Sequence, residues 1–222
     1  MKQRIAHDLA ALAPAAVLLL CGGAYAQTVP TVPASAVQPA VERVASAATY
    51  IVGEQWTFHY ENALEPAKNA TYTQTVSRID GDRAELNRGA SVLDANGNLV
   101  KIGDASYEPS DGKLRFPMRV GDKWTSSYTY HTGSWESIGQ RQTSVVGFEG
   151  VDTAAGHFDA YKIEQVVAWR AGGGGRGEGS TRETDWYAPA VGRIVKADFV
   201  DQATHAAPTT THVELVRFSC PQ

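Results

Sequence analysis

With 222 residues, 43% hydrophobic and 20% charged, the chain has an ordinary globular composition and the length of a single domain. A net charge of −4 and a pI near 5.9 exclude the basic face that a nucleic-acid partner requires. The same composition is too apolar to read as a disordered chain.

Residues 1–26 read as a signal peptide, with Lys2 and Arg4 in the positive region, an apolar run from Leu9 to Leu20, and Ala24-Tyr25-Ala26 as the cleavage site. That run falls short of the roughly 20 residues that span a bilayer, so a soluble mature chain starting near Gln27 is expected, periplasmic or secreted. A rival reading is lipidation at Cys21, although Leu18-Leu19-Leu20 places no small residue before the cysteine. Residues 27–48, with Pro30, Pro33 and Pro39 among small residues, read as an extended tether. Val41 to Ala48 could add a helical turn or two.

From residue 49 onward the pattern is that of strands. Glu54 to Tyr60 alternates, with Trp56, Phe58 and Tyr60 on one face. Thr71–Ile79, Arg83–Asn87, Ser91–Leu93, Leu99–Ile102, Ala105–Tyr107 and Lys113–Phe116 continue the series, with turns at Asp80-Gly81-Asp82, Asp94–Asn98 and Pro109–Gly112. Trp124 to Tyr130 alternates again, with Trp124, Tyr128 and Tyr130 together. Val145 to Lys196 reads as four strands and three turns, in which Tyr161, Ile163, Val167 and Trp169 share a face and Trp186-Tyr187 closes the third strand. Thr211–Phe218 ends the chain as a strand. No segment sustains helical periodicity, so an all-β domain over 49–222 is expected. About ten short-linked strands in one sheet must curl, giving a strongly curved antiparallel meander, an open barrel or half-barrel, with a β-sandwich as second choice.

The succession of a valine-rich strand, Ala155-Gly156-His157-Phe158-Asp159-Ala160-Tyr161-Lys162-Ile163 and Trp186-Tyr187-Ala188-Pro189-Ala190-Val191-Gly192-Arg193-Ile194-Val195-Lys196 resembles the DUF3108 and TapB-like families of exported bacterial proteins. Phe116 to Trp124 resembles their upstream strand, so the similarity covers about 110–200. Ala154, His157 and the long glycine tract depart from the family pattern. The resemblance implies an exported β-rich protein and no particular reaction, because these families are largely uncharacterised.

Catalytic and metal chemistry find little footing. Gly172 to Gly179 lacks the Lys-Ser/Thr and following helix of a phosphate loop and reads as a hairpin loop. Asp152, His157 and Asp159 share one turn, where turn chemistry suffices, and His59 with Glu61 lies on the face opposite the aromatics. His205 and His212 flank a loop and are expected to face water. There is no G-x-S-x-G, H-E-x-x-H or C-x-x-C, so no cofactor, metal or catalytic residue is assigned. Cys220 near the C-terminus is either a spare thiol or one that pairs between chains. What remains is the aromatic set Trp56, Phe58, Tyr60, Trp124, Tyr128, Tyr130, Tyr161, Trp169 and Trp186. These rings either fill a core or line an apolar groove that binds a lipid or other small molecule. The expectation is therefore a non-enzymatic envelope protein binding an apolar or amphiphilic ligand. The alternatives are an assembly protein acting through sheet edges on an envelope partner, and a hydrolase with an unrecognised site.

Overall fold

The structure is a computed structural model that describes residues 43–221. The expected signal peptide, the lipidation reading at Cys21 and residues 27–42 of the expected tether lie outside the described residues. The tether's last stretch is extended rather than helical. Ala45 is buried there and exchanges two backbone hydrogen bonds of 2.9 Å with Met118, while the Arg43 guanidinium sits 4.5 Å from the Phe148 ring centre.

Twelve antiparallel strands follow: β1 (Gln55–Asn62), β2 (Ala70–Asp80), β3 (Arg83–Leu86), β4 (Ser91–Leu93), β5 (Leu99–Ile102) and β6 (Ala105–Glu108) in the first half. The second half holds β7 (Lys123–Thr132), β8 (Trp135–Thr153), β9 (Gly156–Ala171), β10 (Glu178–Ala188), β11 (Arg193–Ala203) and β12 (Thr209–Ser219). Each strand pairs with its neighbour in sequence, and β12 returns to β1, so the curved meander closes into a barrel. Among the described residues the only helical element is a 3-10 turn at Pro66–Lys68.

Two elements differ from the sequence expectation. The strand expected from Val145 is the second half of the 19-residue β8, whose first half pairs with all of β7. Lys113–Phe116 is not a strand. The β6–β7 connection instead runs along the inside of the wall, because inward side chains satisfy its backbone. Trp124 Nε1 and Ser126 Oγ donate to Gly112 O (3.3 and 3.2 Å), Arg141 Nε donates to Asp111 O (3.0 Å), and the Asn98 amide bonds Leu114 through both N–H and C=O (2.7 and 3.0 Å). Gly112 has φ +63, and a Cβ there would run into Ser126, so glycine is required at this close approach.

Alternation then sorts the side chains. Inward positions build two apolar clusters, one around Trp56, Leu86, Leu93 and Leu215, the other around Met118, Trp124, Tyr161 and Ile163. Outward positions are largely polar, although Val166, Trp186 and Val200 are among them: Thr57 meets Thr73 (2.9 Å), His59 meets Thr71 (3.0 Å), and Lys162, Lys196 and Asp198 lie on the same outer wall. A lipid-spanning barrel carries an apolar band around its outer face. Among the described residues no helix is long and apolar enough to cross a membrane.

The wall is uneven. β3 to β6 are only three or four residues long, and β2 pairs with β3 only from Val76 to Asp80. Beyond that point the Asn87 side chain takes the place of a strand, accepting from Thr75 N (2.9 Å) and donating to Thr73 O (2.7 Å).

Candidate functional site: the barrel lumen

Eight strands suffice for an interior filled by side chains, and twelve leave room to spare. At one end of this barrel that room is a cavity of about 530 Å³ that opens widely to solvent. Its walls carry Tyr60, Tyr107, Tyr128, Tyr130, Trp135 and Trp169, with Phe199 below them. Between the rings stand polar groups from Asn62, Ser137, Thr181, Asp201, Thr209 and Thr211. Tyr107 packs against Tyr128 and Tyr130 at 5.4 and 5.1 Å between ring centres, and the Trp169 indole donates to Asp201 (3.2 Å), which also accepts from Thr181 (2.7 Å).

The register keeps the cavity open. Tyr128 is paired with Gly139, Gly139 with Trp169, and Trp169 with Gly179. A Cβ on Gly139 would collide with the Tyr128 ring, and one on Gly179 with Trp169. The two large rings therefore lie flat across the bare backbones of neighbouring strands instead of reaching into the lumen.

Below the rings lies a buried polar network contributed by three strands, β8, β9 and β10, and the inner segment. Glu183 on β10 takes Lys113 at one oxygen and Arg141 Nη1 at the other (3.0 Å). Arg141 also donates to Gln165 Oε1 (2.9 Å), as does Thr143 Oγ1 (3.1 Å). With that oxygen held between two donors, the Gln165 amide turns its Nε2 to Asp185 Oδ2. Asp185 is fully buried, and its Oδ1 has no partner among the described residues. Arg193 Nη1 is likewise buried and without a partner. Both residues line a second hollow of about 170 Å³, which shares Phe199 with the cavity above.

Charge in this network is set by burial and neighbours. Burial raises the Asp185 carboxyl, and the Glu183 charge adds to it, pushing it up to about 8. Glu183 is buried too, but Lys113 and Arg141 outweigh that and hold it down at about 2. Burial works against the Lys113 ammonium, yet Asp185 and Glu183 hold its pKa above the ordinary value. Burial also raises the phenols of Tyr72, Tyr107 and Tyr128, which stay neutral donors and acceptors at physiological pH.

No protein-family model and no curated protein matches the chain. Three solved structures are similar in shape. A protein classed as a lipoprotein from Parabacteroides distasonis ATCC 8503 has 12% identity and a TM-score of 0.49, over 80% of this chain and 100% of that one. One classed as an exported protein with a YmcC-like fold, from Bacteroides fragilis NCTC 9343, has 17% identity and a TM-score of 0.49, over 79% and 100%. The hypothetical lipoprotein YmcC from Escherichia coli (K12) has 10% identity and a TM-score of 0.43, over 77% and 87%. At these values the likeness assigns no role, and the reading below rests on the lumen itself.

The nine aromatic candidates separate into three groups. Tyr60, Tyr128, Tyr130 and Trp169 line the upper cavity. Trp56, Phe58, Trp124 and Tyr161 are buried in the two apolar clusters, although Phe58 also touches the lower hollow. Trp186 stands on the outer wall between Lys162 and Lys196 and donates to Glu149 (2.8 Å), because its strand neighbours Asp185 and Tyr187 point inward. The polar groups went unread in the sequence, and their signal is that they sit on buried faces. Arg141 and Thr143 share a face with Val145, Gln165 with Ile163 and Val167, and Glu183 and Asp185 alternate with Arg182, Thr184 and Trp186.

The remaining candidates are surface features. Gly172–Gly177 connects β9 to β10, closing on Ala171 N to Gly177 O (2.7 Å). Asp152 and His157 form an exposed pair (2.7 Å) at the β8–β9 tip, and His59 pairs with Glu61 (3.2 Å). His212, expected to face water, lies on the outer wall, where it is bonded to Asp198 (2.5 Å) and Glu214 (3.4 Å). His205 adopts a left-handed φ of 67 in the β11–β12 turn. Cys220 is an exposed free thiol beside Glu54 (3.6 Å).

Proposed function

We propose that this is an exported envelope protein that binds an amphiphilic small molecule in its lumen without transforming it. The observation that carries the reading is the aromatic-lined cavity of about 530 Å³ inside a closed barrel. Its volume lies in the range of small-molecule sites, roughly 300–1,000 Å³. Its lining of rings interleaved with hydroxyls and amides favours an amphiphile over a plain hydrocarbon, which would strand those polar groups. Sheet-edge assembly has less support, since closure pairs each strand on both sides over part of its length and leaves open only stretches such as 70–72 of β2 and 146–153 of β8. Hydrolysis gains no support from Glu183, which has both oxygens engaged by cations.

The test is a native mass spectrum of the protein taken from the envelope of its own host, paired with titration by the neutral probe N-phenyl-1-naphthylamine. A discrete lipid-sized adduct and a saturable rise in fluorescence are expected. A bare mature mass together with no fluorescence change would overturn the reading.

A further inference from the structure

The upper cavity carries two of its rings face-on. Trp169 and Tyr128 lie flat against Gly179 and Gly139, where a Cβ would run into them, so each turns a π face rather than an edge to the lumen. The edge of Trp169 is already used, because its indole N–H donates to Asp201 Oδ1 (3.2 Å), which also accepts from Thr181 Oγ1 (2.7 Å). Asp201 Oδ2 makes no hydrogen bond among the described residues, and unlike Asp185 Oδ1 it is not sealed off by its neighbours. Asp201 is also the one charged side chain on the cavity wall among the described residues, which receives no Lys, Arg or His. Two cations lie deeper, Lys113 and Arg141, the second with its guanidinium carbon 6.0 Å from the Tyr128 ring centre, and Glu183 holds both.

A tyrosine or tryptophan ring is electron-rich on its face, and a cation resting there is attracted by the ring quadrupole. An anion would meet those faces and a carboxylate with no cation on the wall to offset them. A primary ammonium would give up a strong hydration shell to rings that return no hydrogen bonds, a loss that an alkylated ammonium avoids. We propose that the upper cavity selects an organic cation, a quaternary ammonium head group seated on the Trp169 face beside Asp201, with the tyrosine rings around it. This rests on the lumen-binding reading and gives its amphiphile a head group.

The probes are three amphiphiles with one tail, dodecyltrimethylammonium, dodecyl maltoside and dodecyl sulfate, titrated calorimetrically into the full protein below their micelle-forming concentrations. The cation is expected to bind about tenfold tighter than the maltoside or more, and the sulfate to bind weakest. In Asp201→Asn, whose amide oxygen still accepts from Trp169 and Thr181, the cation's advantage over the maltoside is expected to fall about tenfold. The chain holds 24 acidic residues, so a general attraction of its surface for cations survives the loss of one carboxylate, and the variant locates the head group. Equal binding of the three by the unmutated protein overturns the head-group assignment and leaves lumen binding standing, and that comparison needs no variant to fold. Tighter binding of the maltoside or of the sulfate overturns it as well. An advantage undiminished in Asp201→Asn overturns the seat beside Asp201. If none of the three binds, lumen binding itself fails and the head-group assignment falls with it.

Discussion

Replacing Asp185 by asparagine isolates one carboxyl whose environment makes a pH-dependent demand on the fold. Asparagine has the same shape, can accept from Gln165 at one atom and carries a donor at the other, and so imitates the protonated acid. In the native protein the carboxyl titrates near 8, against an ordinary 3.8. Below about pH 4 both the folded and unfolded chains hold this proton, and Asp185 imposes no penalty. As the pH rises from there to about 8, the unfolded chain ionises and the folded one does not. Stability is then lost at about 1.4 kcal/mol per pH unit. Glu183 acts in the opposite sense: held near 2, it stabilises the fold above its ordinary 4.5, and that contribution disappears as the pH falls toward 2. Urea unfolding of wild type and Asp185→Asn, followed by tryptophan fluorescence at several values between pH 5 and 8, should give curves that diverge toward high pH, with the variant the more stable. Parallel curves would refute the buried protonated carboxyl.

Three further perturbations address other parts of the reasoning. Arg141→Met removes the donor shared by Glu183, Gln165 and the Asp111 carbonyl; breaking a buried pair from one side should cost about 3–5 kcal/mol in urea unfolding. Gly139→Ala drives a methyl group into the Tyr128 ring and pushes the ring into the lumen. A loss of about 1–3 kcal/mol is expected, together with weaker N-phenyl-1-naphthylamine binding; unchanged binding would mean that the ring is not what holds the cavity open. Asn87→Ala deletes the side chain that stands in for a strand beside β2, at a residue with φ 50. It should cost about 1–2 kcal/mol and speed amide exchange at Thr75, which loses its acceptor.

Most of the wall was legible because a strand with one buried face writes period 2 into the chain, and Trp56-Phe58-Tyr60 and Tyr161-Ile163-Val167-Trp169 do so plainly. What the pattern could not show is closure. It depends on β1 pairing with both β2 and β12, the latter a contact between segments about 150 residues apart. Lys113–Phe116 misled for a different reason. Its alternation fits a strand, but Leu114 bonds the Asn98 side chain, and Asp111 and Gly112 just before it bond those of Arg141, Trp124 and Ser126, all of them outside the segment.

The aromatic candidates divided because alternation tells only which face a ring is on, and inside a closed barrel that face is core at one depth and cavity at another. Tyr161 and Trp169 occupy the same face of β9, yet Tyr161 packs on Phe148 at 4.8 Å while Trp169 looks into open space. The difference lies across the ladder: the rung at Trp169 carries glycines on both sides, whereas Tyr161 is paired with Phe148 and Tyr187. Depth in the lumen is thus encoded in the partners of a ring rather than in the ring, and the polar groups follow the same logic. Glu183 and Asp185 sit two residues apart on one face, yet one is ionised and the other protonated, because Lys113 and Arg141 bond the first, while the second is buried beside the Glu183 charge with an amide as its bonded donor.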